Sequence, residues 1–478
     1  MTVFIFWITM WALAAPAEKS GALHGTIVGR DSKTNELTVA HEEVKDIMGA
    51  MTMSYAVRGA KVSALPKDGS RITATLHEVN GKYWLTDIKA AGGGMTMTDD
   101  QMPGMQHDMP AMHHGAMQHD AVADLLMRQA SGTSTNPAAA PMHMHMIMSG
   151  DWMLMLHGQA FVGGVEQTGP RGDDKIFSTN WAMGMAERPL GGGHLMLRSM
   201  LSLEPLTVGK KYPELFQTGE TIHHQPIVDA QHPHDFFMEL AAEYAHELPG
   251  NAIGYVYAAP VGDPALGSVA FPHRASASEI PQAPLSHHVQ DSTHIAASVL
   301  TLGGQRGMFG VAVSGFHGRE PDENRWNIDT GRIDSWSARA TFDPTANWSA
   351  QISTGHLRHP EAAEPGNIQR TTASVSYSTA TWHSSLIYGH NDRTRGRSAN
   401  AYVAETVAQF GGRNFVTARG EIVDKDEIPV PARIRALTLG YTRGIVGGNV
   451  TIYDFPRALE PLYGRNPRSF YLFLRLRS

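Results

Sequence analysis

Beyond about residue 150 the chain is a long run of segments in which large apolar residues alternate with polar or small ones, cut by clusters of Gly, Pro, Asn and Asp. Side chains on a strand point to opposite faces with period two, so each segment predicts a strand with two unlike faces. Phe177, Thr179, Trp181, Met183 and Met185 alternate with small residues, and Leu195, Leu197, Leu201 and Leu203 alternate with Met196, Arg198, Met200 and Glu204. Similar runs cover 236–247, 252–259, 293–302, 309–316, 335–342, 348–357, 371–378, 382–389, 399–409, 414–423, 433–442, 449–455 and 469–477. With a strand around Trp152 the count is about 16. A soluble propeller or a pair of sandwiches would also alternate, but no repeat of ~40 residues is visible. The chain ends on SFYLFLRLRS, with Phe470, Leu472, Leu474 and Leu476 in one row and Tyr471, Phe473, Arg475 and Arg477 in the other. One row for lipid and one for a polar lumen is what a closing strand of a transmembrane barrel needs. The expected fold class is all-β, with an antiparallel outer-membrane β-barrel of about 16 strands over residues 150–478.

Composition narrows the chemistry. There is no Cys, so disulfide scaffolds, thiolate zinc sites, Cys nucleophiles and iron–sulfur clusters are excluded, and any metal falls to His, Met or carboxylate. Net charge is −7, which argues against nucleic acid as a partner. The unusual counts are 25 Met and 25 His.

Residues 1–17 read as a signal peptide: Val3–Ala14 is apolar but too short to span a membrane, and Ala12-Leu13-Ala14 and Ala15-Pro16-Ala17 offer small-x-small cleavage patterns. Export is therefore expected. Residues 18–94 hold five short strand-like runs, 23–30, 36–41, 51–58, 70–78 and 82–89, with Asn80-Gly81 as a hairpin signal. Five such strands predict a small OB-type barrel. From Met95 to Met155 the chain carries 14 Met and 6 His. Residues 95–149 have no sustained period and read as a Met/His-rich flexible tether, with one or two helical turns over 120–129 and a small-residue linker over 131–141.

The sharpest motif is HEEVKDIMGAMTM, residues 41–53. His41 ends one expected strand, and Met51 and Met53 begin another, where period two puts both thioethers on one face. Thioethers are soft neutral ligands that favour Cu(I) or Ag(I) over harder ions. Met51 and Met53 as ordinary core residues is the plain alternative. On these residues the segment 22–90 resembles the CusF-like periplasmic copper- and silver-binding domains. The resemblance implies an OB-type barrel in which His41, Met51 and Met53 ligate the metal. That family caps its ion with a Trp, which is missing here; Met48 stands near that place as a third thioether, and Trp84 is distant in sequence.

Further metal candidates lie in the tether, at His113 and His114 and at His143, Met144, His145 and Met146. Others interrupt the barrel alternation: His232, His234 and Asp235; His287, His288 and His294; with His223-His224 and the run 317–323 beside them. In a wet lumen such groups either bind an ion or hydrogen-bond one another. The barrel also resembles uncharacterised outer-membrane barrels of bacterial copper-resistance determinants through LFQTGET, QHPHDFFMEL, DPALG, HHVQDSTHI and HGREPDE. Together these readings lead to a non-enzymatic protein of the outer membrane whose periplasmic N-terminal domain binds Cu(I) or Ag(I) for sequestration, efflux or resistance. Its expected partners are the ions, outer-membrane lipid and periplasmic efflux components. The alternatives are a metal-dependent enzyme at the barrel mouth, for which no HExxH or GxSxG motif is present, and a general porin with an incidental metal-binding domain.

Overall fold

The computed structural model describes residues 19–477 apart from 32–33, 42–43, 45–46, 48–50, 68–69, 80–81, 91–120, 142–143 and 363–365. The signal segment, Met48, His113, His114 and His143 lie outside the described residues. Two compact units divide between residues 119 and 120.

In the first unit, strands Lys19–Asp31, Glu36–His41, Met51–Val57, Arg71–Val79 and Lys82–Ala90 close into a five-stranded barrel. Alternate residues turn inward, so Leu23, Ile27, Leu37, Val39, Tyr55, Val57, Ile72, Leu76 and Leu85 make one buried core. The strands begin and end within four residues of the expected runs, and Val79 pairs with Lys82 as a two-residue hairpin requires.

The second unit is a closed antiparallel barrel of 16 strands, from Trp152–Gln167 to Arg468–Arg477. The last strand closes on the first, with Ser469 opposite Gln167 and Arg477 opposite Gln159. Below that seam the short strand His145–Ser149 pairs with residues 152–156 of the first strand. No described helix is long and apolar enough to cross a membrane; the crossing elements are the strands. Their outer row carries exposed Leu300, Leu302, Val311, Val313, Ile352, Leu386, Leu437, Leu439, Leu472 and Leu474. Near one rim sit Phe309, Phe342, Trp348, Tyr377 and Trp382, in ring contact as pairs. An apolar band edged by aromatics is the surface an outer-membrane barrel shows to lipid, and the protein is an outer-membrane barrel.

That rim is also the end with the tight turns, such as residues 307–308 and 444–445, where Gly307 and Gly444 supply positive φ. The opposite end carries long connections over 202–236, 263–295, 318–334 and 455–467. Short turns face the periplasm in such barrels, so Trp152 and Arg477 lie at the periplasmic end.

The lumen is filled. The connection 263–295 is buried along almost its whole length and crosses to the far wall. Arg274 pairs with Asp291 at 3.0 Å within the connection and with Glu405 on a wall strand at 2.5 Å, and Arg419 joins Glu405 at 3.0 Å. Gln282 and Asn449 bond through their amides at 3.0 Å. A second inward segment is the helix Ala121–Arg128 and the residues that follow it. The second compact unit begins at Asp120, ahead of the expected barrel start at residue 150. The residues of 131–141 read as a plain small-residue linker, but hydrogen bonds from residues 129–133 go inward. Ser131 donates to Asp263 at 2.6 Å, Gln129 to Glu243 at 2.8 Å, and Thr133 accepts from Arg339 at 2.8 Å. A polar lumen satisfies such side chains as well as water does, so polarity alone did not separate linker from plug.

Candidate metal centres

In the small barrel, the pairing of Glu36–His41 with Met51–Val57 sets the first site. The register puts Met51 directly opposite His41 and Met53 opposite Val39. Opposed residues of an antiparallel pair share a face, and positions 39, 41, 51, 53 and 55 form one row. Val39, His41 and Tyr55 in that row are buried. The expected trio thus falls on neighbouring register positions, brought together by one strand pair. The His41 Nε2 and the Tyr55 hydroxyl share a hydrogen bond at 2.6 Å. Burial, with Tyr83 nearby, pushes Tyr55 up to about 12, so it remains a neutral phenol. Trp84 does not stand in for a cap: its ring carries the Arg58 guanidinium at 3.9 Å and stacks on His77 at 5.4 Å.

The barrel clusters also converge, although they come from three different connections. His232 Nε2 lies 3.4 Å from His288 Nε2 and 3.3 Å from Glu220. His288 Nδ1 is 3.6 Å from both Glu320 and Glu361. His287 is 5.1 Å from His288 and 5.2 Å from His294 between ring centroids, and His294 is 5.3 Å from His234. Potential ligand atoms of His232, His287 and His288, and separately of His288, Glu320 and Glu361, fall within 4.8 Å of one another. Ligands at about 2.1 Å from a tetrahedral ion stand about 3.4 Å apart, close to these separations. Both Glu320 oxygens and His288 Nδ1 are buried without a hydrogen-bond partner, donor atoms of the kind a cation satisfies. Burial lowers His287 to about 4 despite its 2.7 Å bond to Asp291, leaving a neutral imidazole. Burial also opposes charge on His288, but Glu320 and Glu361 beside it push it up. An ion entering there displaces that proton.

Other expected ligands are committed elsewhere. Asp235 pairs with Arg325 at 3.0 Å, and Arg325 also grips Glu220. His234 faces Glu204 at 3.0 Å. His223 and His224 form a positive-φ turn whose two backbone N–H groups donate to Glu323 at 2.8 Å. His145 and Met146 are exposed on the short edge strand, while Met144 packs against the barrel's inner cluster. Glu220 and Glu361 were missed: Glu220 sits within the run LFQTGET with nothing to single it out as a ligand, and Glu361 lies in the connection 358–367, which carries no periodicity. Glu320 was visible only as part of the polar run 317–323.

Gly219 sits over this cluster with φ near +124, and a Cβ there would lie 2.3 Å from His288 Nε2. Gly219→Ala is expected to destabilise the barrel by roughly 1–3 kcal/mol through overpacking and backbone strain. The midpoint of heat-induced mobility change on a gel measures it, and an unchanged midpoint would contradict this packing.

Residues 20–90 match the family model described as copper binding periplasmic protein CusF. The N-terminal barrel is a CusF-like domain. Its His41, Met51 and Met53 stand on adjacent positions of one strand pair. None of the curated proteins matches the chain. Among solved structures, the anion-selective porin from Comamonas acidovorans is similar at a TM-score of 0.45 and 12% identity, over 68% of this chain and 100% of that one. OmpF from Salmonella typhi in complex with daunomycin gives 0.45 and 8%, over 70% of this chain and 100% of that one. Outer-membrane-expressed OmpT of Vibrio cholerae gives 0.42 and 8%, with 70% and 100% covered. The closure and strand count of the barrel described above stand on its own hydrogen-bond register, with the CusF-like domain as a separate unit.

Proposed function

We propose that this protein binds Cu(I) or Ag(I) through His41, Met51 and Met53 of its CusF-like domain, held in the periplasm by an outer-membrane barrel. The register of Met51 opposite His41, with Met53 two residues along the same row, is the observation that carries this reading. Two thioethers and one imidazole make a soft, nearly uncharged donor set, which suits a monovalent d10 ion and discriminates against Zn(II), Mg(II) and Ca(II). Met48 adds a further thioether where the family's Trp cap is absent. The Met/His-rich segment ahead of the barrel unit, with His113 and His114, offers further soft donors that collect ions weakly. Loose ions then pass to the preformed site.

No bond is made or broken in this scheme, and its role is copper or silver sequestration, efflux or resistance. The enzyme alternative gains little from the barrel. His287 and His288 belong to the plug itself and, with His232, are buried, whereas turnover needs a substrate cleft. With Glu320 and Glu361 they offer instead a nitrogen and oxygen site of the type that suits a divalent ion. The porin alternative is weakened by the filled lumen.

A competition titration of the full chain in detergent, against a chelator series, tests the proposal. Tight binding of Cu(I) and Ag(I) with weak binding of Zn(II) is expected. Equal and weak binding of all three would overturn it.

A further inference from the structure

One stretch of the barrel wall breaks the usual division of its two faces. On Gly193–Leu201 the Leu row, including Leu197, faces outward, while Met196, Arg198 and Met200 are buried on the lumen row. Met183 and Met185 share that row on the neighbouring strand. A lumen row is ordinarily polar, and here thioethers stand among Arg198 and Glu187. The register aligns them further: Met183 is opposite Met200 on one side and opposite His157 on the other. Three adjacent strands therefore present His157, Met183 and Met200 side by side.

The plug closes this row from within. His273 approaches Met200, its Nε2 lying 2.9 Å from the thioether sulfur. Trp181 stands 4.5 Å from the His273 ring and 5.2 Å from the His157 ring between centroids, and the two imidazoles are 6.2 Å apart. His157 Nε2 is buried and has no hydrogen-bond partner. A cavity of about 140 Å³ adjoins them, lined among others by Met144, His157, Trp181, Met185 and His273.

Packing explains part of the methionine content, since Leu125 and Leu126 of the inward helix rest on the same cluster. Leucine would fill that volume as well. Packing does not explain an imidazole nitrogen aimed at a sulfur, a second imidazole nitrogen left bare, and an indole beside both. We infer that the barrel holds a second soft-metal site for Cu(I) or Ag(I), with Met200 and His273 as its ligand pair, His157 and Met183 beside them, and Trp181 as a cation–π neighbour. Two thioethers, two imidazoles and an aromatic face match a soft monovalent cation and offer no carboxylate to a hard one. The site shares its cargo with the CusF-like domain and rests on that reading only for the identity of the ion.

The test is Ag(I) binding to the full chain in detergent, measured against a competing chelator that strips weakly held ions. A Met51→Ala/Met53→Ala chain removes the N-terminal site and is expected to keep one chelator-resistant Ag(I). Adding Met200→Leu, which conserves volume and so spares the fold, or separately His273→Gln, is expected to weaken that ion at least tenfold. Heat-modified gel mobility verifies a folded barrel in each. A folded Met200→Leu chain that keeps Ag(I) unchanged, or a Met51→Ala/Met53→Ala chain with no resistant ion at all, overturns the inference. The second outcome leaves the N-terminal site standing. Conversely, full retention of Ag(I) in Met51→Ala/Met53→Ala, with loss on Met200→Leu, supports this site and removes the N-terminal one.

Discussion

Changing Met51 and Met53 together to Ala is expected to weaken Ag(I) binding by the CusF-like domain at least about a hundredfold, close to 2.7 kcal/mol. Both positions occupy the row shared by His41, opposite His41 and Val39 in the register. Removing them leaves one imidazole and the Met48 thioether, too few soft donors to hold an ion against competing chelators. The strand itself is expected to persist, because Tyr55 and Val57 continue to anchor it in the core. An isothermal titration with Ag(I), paired with circular dichroism, checks both statements. Unchanged affinity would mean that Met51 and Met53 are packing residues only.

The second large effect concerns the plug. Arg274 is 2% exposed and holds Asp291 and Glu405 together, with Arg419 completing the network. Breaking a buried pair by removing one partner strands the remaining charge and costs about 3–5 kcal/mol. Glu405 keeps Arg419 as a partner, and Asp291 keeps His287, so the lower part of that range applies to Arg274→Ala. Because Arg274 belongs to the connection and Glu405 to the wall, its loss is expected to loosen the plug as well as to destabilise it. Planar-bilayer recording is expected to show small conductance for the native chain and a several-fold larger or flickering conductance for Arg274→Ala. A native chain conducting like an open 16-strand pore would contradict the filled lumen.

Much of the barrel was legible because lipid and lumen impose a period-two code that survives in one sequence. Trp348–Leu357 is the strand expected to the residue, and most others differ only by a lengthening of a few residues at one end. The plug was not legible. Residues 263–295 carry no period, and HHVQDSTHI was split, its last three residues being assigned to a strand that begins only at Ala296. A segment inside a polar lumen can carry the polar composition of an exposed loop, so composition did not distinguish the two. The same ambiguity hid residues 131–141, whose small polar side chains bond to Asp263 and Arg339.

That His41, Met51 and Met53 share one row was legible because these residues sit on two consecutive strands, where register follows from spacing. His232, His288, Glu320 and Glu361 come from connections far apart in sequence, and only closure of the barrel unites them. The Met row was visible as alternation at Met183, Met185, Met196 and Met200, but the facing His273 belongs to the plug. Its meaning as a ligand set required the fold.

Copper K-edge X-ray absorption on a Met200→Leu/His273→Gln chain, which lacks the barrel's own soft donor pair, loaded with one equivalent of Cu(I) tests the central claim most directly. A first shell of two or more sulfurs with one nitrogen is expected, losing sulfur in Met51→Ala/Met53→Ala and nitrogen in His41→Ala. A shell of nitrogen and oxygen alone, or one untouched by those substitutions, would contradict the assignment of the metal to His41, Met51 and Met53.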